Sequence, residues 1–294
     1  MSNKKADIWI VVNWGGSKSC RKLLVENAKK SKLSYRLVDV QFLFWVGNKL
    51  FYKFRPVKHF PKLILSRTSS PSLRKLVDKR PDIITLNSNH CYQLVHSKLA
   101  SHIELEKHKI RQPRFSAWSI GDTYEKISEQ LGNKFVIKNV YGFKGNQVFL
   151  VSNQQEFRKA LCKCNKKNVI YQEFIEISAG RDIRVIVLDG KVLVAFQRLS
   201  QNGDFRANLS QGGKAAFITL TPEQENLAIR IYEILHGEHL SIDFLVGNDG
   251  EFIFCEANLH TALRMLFDYK THNINHGATL MEHIKQRIKQ MEAI

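Results

Sequence analysis

Three side chains near the end of the sequence form a set that hard divalent cations favour. Asp243 lies in Ser241-Ile242-Asp243-Phe244-Leu245, and Glu256 and Asn258 stand two apart beyond a Gly247-Asn248-Asp249-Gly250 turn. In extended chain, residues two apart project from one face, and antiparallel pairing across the turn can bring Asp243 opposite them. Two carboxylates and an amide oxygen are all-oxygen ligands, suited to Mg²⁺ or Mn²⁺ that is also held by phosphates. Apolar neighbours make unpaired acids costly to bury there. Read alone, the same residues are equally well explained as acids solvated at a hairpin rim.

Lys138 ends an apolar strand directly before Asn139-Val140-Tyr141-Gly142-Phe143-Lys144-Gly145-Asn146. A cation beside a flexible, amide-rich loop can hold phosphate oxygens while the loop closes over them. The loop is not a P-loop, because neither Gly-Lys-Ser nor Gly-Lys-Thr follows and a strand comes next. Val169 to Ile175 is an apolar strand whose edge could offer backbone groups to a flat heterocycle, and an ordinary buried strand reads the same. Gly180-Arg181-Asp182-Ile183-Arg184 and Gly203-Asp204-Phe205-Arg206-Ala207-Asn208-Leu209 are dense in charge. The planar fork of arginine suits carboxylate and phosphate oxygens, and either segment alone also reads as a surface ion pair.

These side chains need strands to aim them. Residues 7–13 read as a buried strand, followed by a Gly-Gly-Ser turn, a helix through Leu23, Leu24, Val25 and Ala28, and a strand from Tyr35 to Val40, a βαβ opening. The alternating stretch from Phe51 to Leu65, interrupted by Pro56 and Pro61, predicts short edge strands. Ser97 to Gln112 predicts a helix closed by Pro113. From Lys134 the pattern changes to antiparallel hairpins: Phe135–Lys138 with Gln147–Val151, Arg184–Leu188 with Lys191–Arg198 across Asp189-Gly190, and Leu240–Val246 with Glu251–Cys255. Helices are expected at Pro222–His236 and Thr279–Met291.

Taken together, Lys138 before its glycine loop, Gln172-Glu173-Phe174-Ile175, Gly180-to-Arg184, Gly203-to-Asn208, Ile242-Asp243-Phe244 and Glu256-Ala257-Asn258 resemble, in order and spacing, the ATP-grasp ligases of the RimK type. The resemblance runs from about Ser97 to Leu259, and residues 1–96 match a generic pre-ATP-grasp lobe. It implies an α/β (α+β) ATP-grasp fold in three parts: an N-terminal βαβ domain over 1–96, a central lobe with the glycine lid over 97–171, and a C-terminal lobe with the metal site over 172–294. The central and C-terminal antiparallel sheets would enclose ATP. Lys98 and Lys138 would contact phosphates under Gly142 and Gly145, Glu173 and Phe174 would line the adenine pocket, and Asp182 would help hold the nucleoside. Arg206 and Asn208 would approach the triphosphate, Asp243, Glu256 and Asn258 would bind Mg²⁺ or Mn²⁺, and Arg184 would take the carboxylate substrate.

The implied reaction joins a carboxylate, activated as an acyl phosphate, to an amine, with Lys138, Arg184 and Arg206 stabilising charge. Such enzymes include ones that add glutamate to protein tails, small molecules or acidic carrier proteins. Asp243→Asn or Glu256→Gln is expected to abolish ATP turnover and leave the fold intact. Two departures from the family pattern stand out: the bulky Tyr141, Phe143 and Lys144 in the lid, and Leu259-His260-Thr261-Ala262-Leu263-Arg264 where a Ser-Pro-Gly-like turn is usual. His260 is a candidate base and Arg264 a candidate acceptor contact.

Composition narrows the setting. The 294 residues are 44% hydrophobic and 24% charged, as in soluble globular proteins, and no apolar run approaches a membrane span. Five scattered cysteines suit reduced thiols and a cytoplasmic setting. Forty-five Lys and Arg against 27 Asp and Glu leave +18, a field that draws anionic partners. An acidic peptide or carrier protein fits that field. The rival readings are an ATP-grasp kinase and a non-catalytic nucleic-acid-binding module, the latter disfavoured by the intact acids. The residues do not choose between a single chain and a homo-oligomer.

Overall fold

The computed structural model describes residues 6–68, 70–142, 145, 147–207, 213–261 and 275–293. Contacts divide the chain into two compact units, one of Met1–Tyr92, His236–Leu240 and Leu259–Ile294, the other of Gln93–Leu235 and Ser241–Asn258.

In the first unit the apolar run Ile8–Val12 (β1) is buried at every position, as a strand covered on both faces requires. Ser17 caps the following helix α1 (Lys18–Lys30) through its hydroxyl. Strands β2 (Tyr35–Asp39), β6 (Leu63–Ser66) and β7 (Ile84–Leu86) join β1 in a parallel sheet of order β2-β1-β6-β7. Leu43–Val46 (β3), Lys49–Tyr52 (β4) and Arg55–Pro56 (β5) make a separate antiparallel sheet. The expected edge strands around Phe51 to Leu65 are therefore half right. Leu63–Ser66 is an interior strand, tolerated because Pro61 stops short of it and removes no ladder donor. Helices α2 (Pro71–Lys79) and α3 (Asn89–His96) follow β6 and β7, and α8 (His276–Glu292) closes the chain.

The second unit carries two sheets. β10 (Val148–Val151), β9 (Phe135–Asn139), β11 (Val169–Glu173) and β8 (Phe115–Ala117) form one, in that order. Helices α5 (Tyr124–Leu131) and α6 (Gln154–Cys164) pack on it through Ile127, Leu131, Phe157 and Ala160 against Phe135, Ile137 and Tyr171. The other is five-stranded, ordered β14 (Lys214–Ile218), β13 (Lys191–Leu199), β12 (Arg181–Leu188), β15 (His239–Val246), β16 (Phe252–Asn258), with α7 (Pro222–Ile234) against it. The entry helix α4 (Lys98–Lys107) is shorter than expected: Lys109 turns to φ +56°, and the Arg111 carbonyl accepts from the Phe254 N–H at 2.9 Å. Residues 110–113 thus run beside β16.

Candidate active site

Two irregularities in the five-stranded sheet decide which side chains meet. Asp189-Gly190 makes the β12–β13 turn with φ of +52° and +68°, the left-handed pair that a tight hairpin needs. Counting back from that turn pairs Asp182 with Gln197. The register slips between Ile186 and Val187, where Leu193 is the extra residue, and Asp182 faces Arg198 instead. A second slip follows Asp243, where Cys255 is the extra residue, so Asp243 lies opposite Glu256. Each bulge moves one flank to the other face of its strand.

The result is a buried ion cluster. Arg184 forks onto Asp243, Nε to Oδ1 at 2.6 Å and Nη2 to Oδ2 at 2.5 Å. Arg198 forks onto Asp182 at 2.5 and 2.6 Å and reaches Asp243 Oδ2 at 2.9 Å. Asp243 is 1% exposed. Burial alone would raise its carboxyl, but the charges of Arg184 and Arg198, with Arg184's hydrogen bonds, hold it well below the usual carboxylate range. Asp182 moves the other way, raised by burial and by the charge of Asp243 against the opposing pull of Arg198.

A cavity lined from both antiparallel sheets opens over this cluster within the second unit. Lys138 from β9 is 9% exposed, and the partner of its ammonium is the Cys255 sulfur at 3.6 Å. An ammonium this buried is costly unless an anion joins it. Lys98, just after the α4 cap Ser97, donates to the Gly142 carbonyl and stands 3.6 Å from Glu256 Oε2. Phe174, beyond the end of β11, meets Phe205 edge-on at 6.1 Å, and both line the cavity as an apolar wall. Glu173 also lines the cavity, and its carboxylate is held by Arg114. Arg206 lines the cavity but commits its fork to Asp204, while its Nη1 donates to the Gly145 carbonyl at 2.7 Å.

Ten of the expected residues thus line one cavity: Lys98, Lys138, Gly142, Gly145, Glu173, Phe174, Asp182, Arg206, Asp243 and Glu256. Arg184 and Asn258 lie behind it, Arg184 on Asp243 and Asn258 donating to Glu256 Oε1 at 3.2 Å. Asn208, Phe143, Lys144 and Arg264 lie outside the described residues. Arg198 and Arg114 were not anticipated; the bulge hides the first, and no motif marks the second.

The donor chemistry fits a divalent cation best at Glu256. Asn258 spends an N–H on that carboxylate, so its own oxygen stays available, and the carboxylate's other neighbours include Asp243 and the Lys98 ammonium, 3.6 Å away. Of about four lone-pair sites on an ionised carboxylate, Asp243 has given three to guanidinium donors. One remains on Oδ1. Among the described residues no group of three or more His, Cys, Asp or Glu could hold a metal ion.

The RimK-like ATP-grasp domain model matches residues 95–284. N-acetylaspartylglutamate synthase A of Mus musculus is 28% identical over 243 residues, covering 78% of this chain and 63% of that protein. A probable alpha-L-glutamate ligase of Legionella pneumophila is 31% identical over 212 residues, covering 71% and 69%. The chain spans between 39% and 63% of the length of four curated relatives that it matches. Among solved structures, the ATP-grasp ligase PsnB complexed with minimal precursor superposes with a TM-score of 0.71 at 16% identity, over 97% of this chain and 100% of that one. The parallel sheet, the two antiparallel sheets with their shared cavity and the match over residues 95–284 have one reading: this chain belongs to the RimK-like ATP-grasp family.

Proposed function

We propose that this protein is an ATP-dependent carboxylate–amine ligase that forms an amide through an acyl phosphate. The observation that carries the reading is a single cavity in which Lys138, buried and without a carboxylate partner among the described residues, shares the lining with the Asp243–Glu256 pair. A triphosphate with Mg²⁺ or Mn²⁺ supplies the anion that the lysine lacks and the cation that the acids suit, and Asp243, Glu256 and Asn258 would hold that ion. When bound, the metal neutralises charge on the phosphates.

A substrate carboxylate oxygen attacks the γ-phosphorus as the bond to ADP breaks. The amine then attacks the acyl carbon and inorganic phosphate leaves. Lys98 and Lys138 screen the phosphate oxygens, and the wall of Phe174 and Phe205 takes the adenine. Arg184 and Arg198 hold Asp243 ionised and fixed, so it needs no reorganisation when charge moves. Arg206, holding the Gly145 carbonyl, would keep the lid down against water that would destroy the acyl phosphate.

The names of the relatives, an alpha-L-glutamate ligase and an N-acetylaspartylglutamate synthase, favour a glutamate-like amino acid as one substrate. The +18 charge favours an acidic peptide or carrier as acceptor. The test is an ADP-release screen of amino acids against amines and acidic carrier proteins. The ligase reading expects ADP, free phosphate and an amide in equal amounts. A stable phosphorylated product without free phosphate would make the protein a kinase, and salt-sensitive nucleic-acid binding without turnover would make it a binding module.

A further inference from the structure

The two faces of β11 meet different surroundings. Val169 and Tyr171 pack with Ile127, Leu131 and Phe157 of the covering helices. Alternation therefore turns Ile170 and Gln172 to the opposite face, where Gln172 lines the nucleotide cavity. Along that face Ile170 stands opposite Lys138 and Gln172 opposite Val136, and Phe174 follows beyond the strand end. Gln172 thus comes between Lys138, proposed for the phosphates, and Phe174, proposed for the adenine wall, with steps of roughly 7 Å along the strand.

The Gln172 amide is oriented from behind. Gln112 donates from Nε2 to the His102 backbone carbonyl at 2.9 Å, which turns its Oε1 to His102 Nδ1 at 2.7 Å. An amide oxygen only accepts, so Nδ1 carries the ring proton. Burial draws His102 down to about 4, so the ring is neutral near pH 7 and Nε2 is left as an acceptor; the Cys255 backbone nears the ring and pulls weakly the other way. His102 Nε2 meets Gln172 Nε2 at 2.5 Å, and the amide nitrogen is the donor of that pair. The rings of Phe115 and Phe254, each centred 5.2 Å from the imidazole, hold it in place. Gln172 itself is 1% exposed. Its remaining amide atom, Oε1, is buried and has no hydrogen-bond partner.

A buried carbonyl oxygen without a donor costs about 1–3 kcal/mol until one arrives. Adenine brings a donor in its exocyclic N–H₂, whereas guanine and hypoxanthine carry a carbonyl oxygen at the same ring position. We infer that His102 is a positioning residue that locks the Gln172 amide with its oxygen toward the base, and that this oxygen selects adenine nucleotides over those of 6-oxo purines. Turned over, the same amide would present N–H₂ to the oxo group. The inference rests on ATP as the nucleotide of this cavity and not on the amide-forming chemistry.

The test is calorimetric titration of the full chain, with Mg²⁺ present, by ADP and by inosine diphosphate, and the readout is the ratio of the two dissociation constants. Wild type should prefer ADP by about tenfold or more. His102→Phe keeps an aromatic ring against Phe115 and Phe254 but offers Gln172 no acceptor, so the preference should fall about fivefold or more. His102→Gln restores an acceptor oxygen and should bring the ratio back to within about twofold of wild type, a rescue that packing alone does not provide. Gln172→Leu removes the oxygen itself; it should weaken ADP about tenfold and inosine diphosphate little, and it carries the test if His102→Phe does not fold. A wild-type ratio in folded His102→Phe or Gln172→Leu overturns the inference, as does equal weakening of both nucleotides. Wild type that binds neither nucleotide would overturn the ATP reading and this inference together, whereas a preference for ADP that neither variant moves leaves ATP in place and removes the role of His102.

Discussion

Asp243→Asn and Glu256→Gln remove one charge each from facing positions of the same hairpin, and the structure separates their consequences. Asp243 is buried and accepts three charge-assisted hydrogen bonds, at 2.6, 2.5 and 2.9 Å, from Arg184 and Arg198. An asparagine there leaves a guanidinium excess in the interior and points an N–H₂ at one of its donors. Breaking a buried pair in this way costs about 3–5 kcal/mol. The second unit has about 160 residues, and at about 2–4 °C per kcal/mol in that size class the melting temperature should fall by roughly 6–20 °C. Glu256 is different: its side chain is 25% exposed and its cation is 3.6 Å away. Its substitution should cost under about 1 kcal/mol, while ADP release should still fall about 100-fold or more with its charge gone from the phosphates. Scanning calorimetry and ADP release on both variants make the comparison. Equal melting temperatures in the two would refute the buried cluster, and full turnover in Glu256→Gln would refute the metal assignment. The expectation that the fold stays intact thus survives for Glu256 and is withdrawn for Asp243.

Gly145 sits at φ +72° with its carbonyl held by Arg206, so Gly145→Val, which forces a branched side chain into a conformation that residues with a Cβ resist, should slow turnover more than tenfold, a far larger effect than its loss of melting temperature; equal losses would make the loop merely structural. His102, in hydrogen-bonding reach of Gln112 and Gln172, is drawn down to about 4 chiefly by burial. The unfolded chain therefore binds a proton that the folded one refuses between about pH 6.5 and 4, and stability should fall with acidification across that window by up to about 3 kcal/mol; His102→Gln should flatten the profile, and an unchanged slope would contradict it. For an acidic peptide acceptor, kcat/KM should fall roughly tenfold or more as salt rises, far more than for a neutral amine, and equal sensitivity would exclude steering.

The local grammar of the fold is legible in the residues. Asp189-Gly190 and the Gly247-to-Gly250 turn announce their hairpins, and the apolar runs Ile8–Val12 and Phe135–Ile137 announce buried strands. The interior place of Leu63–Ser66 is not legible, because strand order depends on long-range pairing that a four-residue run cannot encode. The same holds at the site. Lys138, Asp243 and Glu256 stand out by type and position, but their mutual facing depends on one-residue bulges at Leu193 and Cys255. Nothing in those two residue types signals a bulge, and without it Asp182 would face Gln197 and Arg198 would point away from the acids. Arg184 shows the limit in another way: a guanidinium near a predicted site suggested a substrate contact, whereas the register gives it to Asp243.

The most direct measurement of the ligase chemistry follows oxygen. With the substrate pair returned by the ADP-release screen and ¹⁸O in both oxygens of the activated carboxylate, the acyl-phosphate route transfers one ¹⁸O to each inorganic phosphate released and leaves the other in the amide. Mass spectrometry of the phosphate should show a single label per molecule, in step with ADP. Unlabelled phosphate, or label retained in a stable phosphorylated product, would contradict it.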